Sequence, residues 1–522
     1  MGIFLGLDSS TQSLSATIID TGTGAVLHEA AVNFGSDLPQ FDSPNGVLSH
    51  ADPAVRHANP LLWVDALELL LTRLKALPFD LARIDGIAGA GQQHGSVYLK
   101  RSLRTVGGWK PEASLREQVA PLLARPTAPI WMDASTGAQC RAIEAAIGGA
   151  RVVTISGSRA TERFTGPQVK KFHDDSPTDY ERTEEIHLVS SFIASLLVAD
   201  TAPIDLGDGA GMNLLDLSHA SWSTELLNAT APDLARRLPG PVASETQVGT
   251  VAPYFIEKYG FRSGVPVLAF TGDNPSSLVG MGATAPGTAV ISLGTSDTMF
   301  AAMSEPHTDP RGFGHVFGNP AGGFMCLICF ANGSLAREAV AERFSLNWED
   351  FASAILESTP PGNDGNLLLP YFVPEITPKI HNPQVALFGT PRFTEWGDAA
   401  SAARAVVEAQ ALSMRHHADW IGAGFERVLV TGGASRNRGI LRVLADVFQA
   451  EIMPLSVSNS AALGGALRAA HAFEKADWRD LFATFAAPDA SLATPPNVSS
   501  RTAYDELAAR WREKLAAFTQ EQ

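Results

Sequence analysis

A strand, a corner of small polar residues and a returning strand occur twice in this chain, far apart. Ile3 to Leu7 reads as a strand, Asp8-Ser9-Ser10-Thr11-Gln12-Ser13 as a polar turn, and Leu14 to Asp20 as the return. Thr21 to Gly24 then turns the chain into Ala25 to Val32. The second copy runs from Thr288 to Leu293, through Gly294-Thr295-Ser296-Asp297, and back to Met303. Two copies so widely separated are no solenoid period, so they point to two related domains that face each other. Gly, Ser, Thr and Asp also fill turns for their own conformational reasons, and coincidence between two hairpins is the plainer alternative.

The intervening sequence alternates strands with helices. Asn59 and Pro60 cap and start a helix to about Ala76, and Ile84 to Ala88 is a short strand emptying into Gly89-Ala-Gly-Gln-Gln-His-Gly95. Ala128 to Trp131 is another, ending at Asp133, with Ser135 or Thr136 capping a helix that stops at Gly148-Gly149. Glu184 to Ala199 reads mainly as helix. Val265 to Phe270 is an apolar run with no room for a helix before Gly272, hence a buried strand that delivers Asp273 and Asn274 at its end; Pro275 suggests a helix through Val279. Further on, Trp348 to Leu356 and Ala399 to Ile421 are helical, and proline-broken Pro370 to Gly389 has the look of a mobile flap. Arg427 to Thr431 is a strand that ends in the turn Gly432-Gly433-Ala434-Ser435-Arg436-Asn437. Strands that end in small or polar residues between helices define an α/β fold with ligands at the strand ends.

A chain of 522 residues is too long for one core. A formal charge of −16 without a basic run beyond pairs such as Lys170-Lys171 argues against a nucleic-acid partner, since phosphate backbones are met by clustered Lys and Arg. No apolar stretch is long enough for a bilayer, so no membrane is expected. The first residues lack a basic lead-in of the signal-peptide type. Of three cysteines, Cys326 and Cys329 have redox-motif spacing but stand in FMCLICF, where buried structural thiols are the better reading. A reducing, cytoplasmic setting is the default, with monomer or homodimer left open.

A bound phosphate must therefore be met locally. No Gly-Lys pair exists, which removes the Walker A loop, and Gly280-x-Gly282-x-x-Ala285 follows a helix where a dinucleotide fingerprint would follow a strand. The corners at Ser9 to Gln12 and at Gly294 to Ser296 can aim backbone N–H groups at a polyphosphate, with Asp8 placed to hold Mg²⁺ directly or through water. Either corner alone is more simply a turn. Asp273 is either a general base or a helix cap. His94 is a ligand, a satisfied core histidine or a turn residue; Arg163 is half of a surface or structural ion pair. Asn274 is a cap or a second contact, and a helix-start tryptophan such as Trp348 is more often packing. Capping and loop structure explain Asp133 and Asp208 equally well.

Taken together and in order, these strings resemble the FGGY sugar kinases, which share the actin and heat-shock ATPase plan. Asp8-Ser9-Ser10-Thr11-Gln12 is similar to the first phosphate loop, Gly272-Asp273-Asn274 to the segment with the catalytic acid, Leu293-Gly294-Thr295-Ser296 to the second phosphate loop, and Thr431-Gly432-Gly433-Ala434 to the adenosine loop. Gly89 to Gly95, Trp131 to Thr136, Glu162 to Gly166, Asp208 to Leu215 and Phe270 to Pro275 are similar to the ketose-phosphorylating branch. Where many members carry a tryptophan after the Lys of the 167–172 region, Phe172 and His173 stand here. The resemblance implies two ribonuclease-H-like α/β domains, 1–281 and 282–522, around an ATP cleft. It implies Asp273 as general base, and Gln93, His94, Arg163, Asp273 and Asn274 as contacts to a small ketose. ATP would meet Ser10, Thr11, Gln12, Gly294, Thr295, Ser296, Trp348, Gly432, Gly433 and Asn437, with Mg²⁺ at Asp8.

Overall fold

The computed structural model describes residues 1–422 and 424–520. Two mixed sheets of the same plan organise it. In the first, the antiparallel meander Ile3–Ser9, Ser13–Asp20 and Ala25–Asn33 continues in parallel through Gly86–Gly91 to Pro266–Leu268, with Gln247–Thr250 at the edge. In the second, the meander Thr288–Leu293, Asp297–Met303 and Phe324–Phe330 continues in parallel through Arg427–Gly432 to Glu451–Pro454, with His315–Gly318 at the other edge. The duplicated hairpins occupy equivalent places: Leu5 pairs Ile87 in one sheet as Val290 pairs Leu429 in the other. Both polar corners thus stand at the ends of central strands.

Each sheet has its own core. Leu62, Trp63, Leu67, Leu70, Leu71 and Leu74 of the helix Pro60–Lys75 are buried among Leu5, Leu7, Leu14 and Ile18 of the first sheet. The Asn59 side chain accepts from Leu61 N–H at 3.0 Å and caps that helix as its sequence implies. The second core gathers Val290, Ile291, Met299 and Ile328 with Val406 and Leu412 of the long helix Ala399–His417. Cys326 and Cys329 lie three apart on one strand and so point to opposite faces, which rules out a pair between them.

One late element crosses over. The helix Ser460–Glu474 packs Leu463, Ala466, Leu467 and Ala470 on Phe4, Ile19, Ala88 and Leu268 of the first sheet. Gly6 and Gly464 make this possible: a Cβ on Gly6 would overlap Ala462 O, and one on Gly464 would overlap Ser276 O. A cut after residue 281 therefore separates the two sheets but assigns this helix away from the surface it covers.

Three local expectations fail for stated reasons. Glu185–Leu188 is a strand, paired antiparallel with Ser96–Leu99, and the helix begins only at Val189. Neither Ser135 nor Thr136 caps the helix Gly137–Ile147, because Ser135 Oγ donates to Asp133 at 2.6 Å and Thr136 Oγ1 to Glu162 O at 2.5 Å. The 370–389 segment is no loose flap at its base: Leu367–Pro370 pairs Val385–Phe388, and the buried Glu375 carboxylate accepts from the N–H groups of Ala331 (2.6 Å), Asn332 (3.1 Å) and Ile376 (2.7 Å).

Candidate active site

Three strand ends meet where the first sheet stops. Ile3–Ser9 delivers Asp8, Gly86–Gly91 runs on into Gln92, Gln93 and His94, and Thr271–Gly272 leads straight into the helix Asp273–Gly280. Asp273 is the first residue of that helix, and Gly272 occupies the cap position, so the carboxylate is not spent as a cap. Instead Asp273 Oδ1 accepts from Asn274 N–H at 2.8 Å and from Asn274 Nδ2 at 3.0 Å, while Asn274 Nδ2 also donates to Gln93 Oε1 at 3.0 Å. Burial, with the Asp8 charge second, pushes the Asp273 carboxyl up to about 7. Burial pushes Asp8 up to about 6, against a hydrogen bond from Ser10 Oγ. A carboxyl held near neutrality beside a polar wall is suited to taking a proton from a hydroxyl.

The wall has spare hydrogen-bonding capacity. Gln93 Nε2, both side-chain polar atoms of Gln92, and Asp208 Oδ1 are buried without a protein partner. Such groups are costly unless something else satisfies them. His94 sits at φ 71° between glycines, donates from Nδ1 to Gly211 O at 2.8 Å, and stacks on Phe164 with centroids 4.2 Å apart. Burial, with Arg163 nearby, holds its pKa down at about 3, so the ring is neutral and Nε2 is an acceptor. A Cβ on Gly211 would stand 2.8 Å from His94 Nδ1 and 3.6 Å from Gln93 Nε2, which puts both side chains on one backbone loop.

The second half holds a cavity of about 850 Å³. Gly294, Thr295, Trp348, Gly433 and Asn437 line it, with Arg337, Glu338 and Arg436. Trp348 opens the helix Trp348–Glu357 with an exposed ring, and Asn437 Nδ2 donates to Trp348 O at 3.2 Å while Asn437 Oδ1 caps the next helix through Ile440 N–H at 3.1 Å. Gly432 pairs with Leu293 at φ 94°, where a side chain is disfavoured on both counts. Arg337 clamps Asp297, the last residue of the second corner, through bonds of 2.8 and 3.0 Å, both residues being buried.

Not every candidate lines that cavity. Ser296 and Gly432 are not part of its lining, and Ser10, Thr11 and Gln12 belong to the first corner, where Thr11 Oγ1 accepts from Trp131 Nε1 at 2.7 Å. The helix Asp273–Gly280 ties the regions together, its start at the polar wall and its Leu278 in the second core. Arg163 forms no ion pair among the described residues; its Nη2 meets His315 Nε2 at 2.9 Å. Asp133 is structural, accepting from Arg56 N–H, Ser135 and Gln168. Asp208 differs: Ser190 Oγ donates to one oxygen, the other has no partner, and burial pushes the group well above the carboxylate range. In sequence, both looked like caps; both are buried, and only their hydrogen-bond partners separate them.

No group of three metal-ligating side chains occurs among the described residues. Asp8 still fits Mg²⁺ of the kind that arrives with phosphates, because Asp8 Oδ1 is buried and unpartnered and such ions use one or two carboxylates.

Residues 121–280 match the N-terminal domain and residues 289–473 the C-terminal domain of the FGGY family of carbohydrate kinases. The xylulose kinase of Rattus norvegicus is 41% identical over 98% of this chain and 96% of its own length. Xylulose kinase 2 of Arabidopsis thaliana is 40% identical over 90% of this chain and 87% of its own. Among solved structures, a xylulose kinase from Rhodospirillum rubrum superposes with a TM-score of 0.84 at 20% identity, covering 99% of each chain. Plasmodium falciparum glycerol kinase with ADP does so at 0.79 and 14%, covering 98% of each. Those two structures speak to the fold, whereas the profiles and the end-to-end relatives speak to descent: this chain belongs to the FGGY family of carbohydrate kinases.

Proposed function

We propose that this kinase transfers the γ-phosphoryl group of ATP to the 5-hydroxyl of D-xylulose, giving xylulose 5-phosphate and ADP. One observation carries the reading. A half-buried carboxyl held near pH 7, Asp273, stands beside Gln93 and Asn274 in a chain 41% identical to xylulose kinases along nearly its whole length.

The sugar is assigned to the half formed by residues 1–281, against Gln93, His94, Arg163, Asp273 and Asn274. Gln93 Nε2 and the remaining Arg163 N–H groups would donate to sugar oxygens, and His94 Nε2 would accept from a hydroxyl. Asp273 would orient the attacking hydroxyl and take its proton, which is most of what phosphoryl transfer asks of side chains. ATP is assigned to residues 282–522, its adenosine beside Trp348, Gly432, Gly433 and Asn437 and its phosphates on the N–H groups of Gly294, Thr295 and Ser296, with Ser10, Thr11 and Gln12 opposite. Bound Mg²⁺ at Asp8 would neutralise charge on the phosphates.

A panel of D-xylulose, ribulose, gluconate and a deoxy-ketose with coupled ADP detection tests the reading. Preferred turnover of D-xylulose is expected. Preference for another sugar moves the substrate, and sugar-independent ATP hydrolysis alone would refute a sugar kinase.

A further inference from the structure

His315 belongs to the second half, yet both of its ring nitrogens are held by the first. It opens the edge strand His315–Gly318 and is buried. Arg163 Nη2 approaches His315 Nε2 at 2.9 Å, and Ser158 Oγ lies 3.2 Å from His315 Nδ1. A guanidinium can only donate, so Nε2 must carry the lone pair and Nδ1 the proton, which then goes to Ser158 Oγ. The ring is thereby fixed in one tautomer and one orientation.

The 158–163 segment that supplies these partners is itself fixed. Asn213 Nδ2 donates to Arg159 O at 3.1 Å, and Asn213 Oδ1 accepts from Thr161 N–H at 3.2 Å. Phe164 stacks on His94 on one side and lies 5.2 Å from the His315 ring on the other, so a series of rings runs from the polar wall across to the second sheet. Nothing acidic pairs with Arg163 among the described residues, and His315 is its one hydrogen-bonded side-chain partner there.

We propose that His315 is a positioning residue for the sugar. Acting from the opposite half, it holds the Arg163 guanidinium in the pose that meets a sugar hydroxyl, and so couples sugar affinity to closure of the cleft. The inference deepens the function proposed above and rests on Arg163 as a sugar contact. With the halves apart, Arg163 has no anchor and the sugar site is incomplete. With sugar bound, Arg163 is ordered and offers its N–H to His315, which favours closure.

The test uses the full-length chain and the sugar that the panel identifies as the substrate of the unmodified enzyme. H315A, H315Q, R163A and the double variant R163A/H315A are compared by separate KM values for sugar and ATP, with thermal melts as the folding control. Loss of a hydrogen bond to a charged group is expected to raise the sugar KM on the order of ten- to a hundredfold in H315A, with the KM for ATP little changed. H315Q keeps an acceptor for Arg163 and is expected to recover most of that loss. The double variant should be no worse than R163A. S158A, which frees only the outer nitrogen, supplies a milder variant should H315A fold poorly, and a smaller rise in the same KM is expected.

A sugar KM within twofold of the unmodified value in folded H315A, or in S158A together with a simple multiplication of effects in the double variant, overturns the proposal. So does an H315Q as impaired as H315A. If R163A itself keeps normal sugar KM, the assignment of Arg163 falls and His315 with it, while a substrate found in the panel leaves the kinase reading standing.

Discussion

Asp273 and Asp8 raise a question that belongs to single side chains: what it costs to keep one half-buried and one buried carboxyl within reach of each other's charge. Both are pushed above their ordinary range, Asp273 to about 7 and Asp8 to about 6. A base with that pKa is half-protonated near neutrality, so kcat/KM of the kinase should climb with pH through about 7, as a pH–rate profile at saturating ATP would show. Asp273→Asn should lower kcat on the order of 10²- to 10⁴-fold while sugar binding, measured by calorimetry, persists in part. Near-normal turnover in that variant removes Asp273 from the chemistry. The stability effect has the opposite sense. The folded pKa lies above the unfolded value, so the protonated folded state is favoured, and this contribution is present below about pH 4 and lost as pH rises through 7. Ligand-free D273N should therefore melt above the parent at pH 8 and near it at pH 4. Asp273 could be suspected from its place after an apolar run, but its field could not, because Asp8 comes from a strand distant in sequence. His315 was silent for the same reason: in Gly-His-Val-Phe-Gly it reads as a strand residue, and its partners Arg163 and Ser158 are supplied by the other half.

At the level of elements, local signals were legible where a cap or turn is chemically specified. Asn59-Pro60 starts its helix, and Thr288–Leu293 is a strand over the range read from its pattern. They failed where a non-local partner decides. Glu185–Leu188 continues without a break into an apolar run, and no periodicity marks the change from strand to helix; pairing with Ser96–Leu99 does. The proline-broken 370–389 segment reads as loose, yet Glu375 anchors it by accepting backbone N–H groups from a neighbouring turn. Trp348 and Asn437 make a testable pair of helix starts. Trp348→Ala should raise the KM for ATP several-fold and leave that for the sugar nearly unchanged, since its exposed ring lines only the second-half cavity. Asn437→Ala removes both a cap worth about 1 kcal/mol and the support of Trp348 O, so a lower melting temperature should accompany the same ATP effect.

For the whole molecule, two copies of one sheet plan, visible in the two polar corners, account for the architecture, and a helix from the far end of the chain ties them together. The apolar face of Ser460–Glu474 covers Phe4, Ile19, Ala88 and Leu268, and Arg468 donates to the carbonyls of Gly89, Ser244 (2.8 Å) and Ala269 (2.6 Å). Gly464→Leu should be poorly tolerated, because backbone lies where its side chain would begin; a lowered urea midpoint and loss of turnover together are expected, and a parent-like midpoint would contradict the close packing. The same crossing has a consequence for how the polypeptide is made. During synthesis the first sheet emerges long before the helix Ser460–Glu474 that roofs it, so a nascent chain must carry an uncovered apolar surface until residue 474 has been made. Expressed alone, residues 1–281 should collect in the insoluble fraction, and supplying 455–486 on a flexible tether should return them to solution.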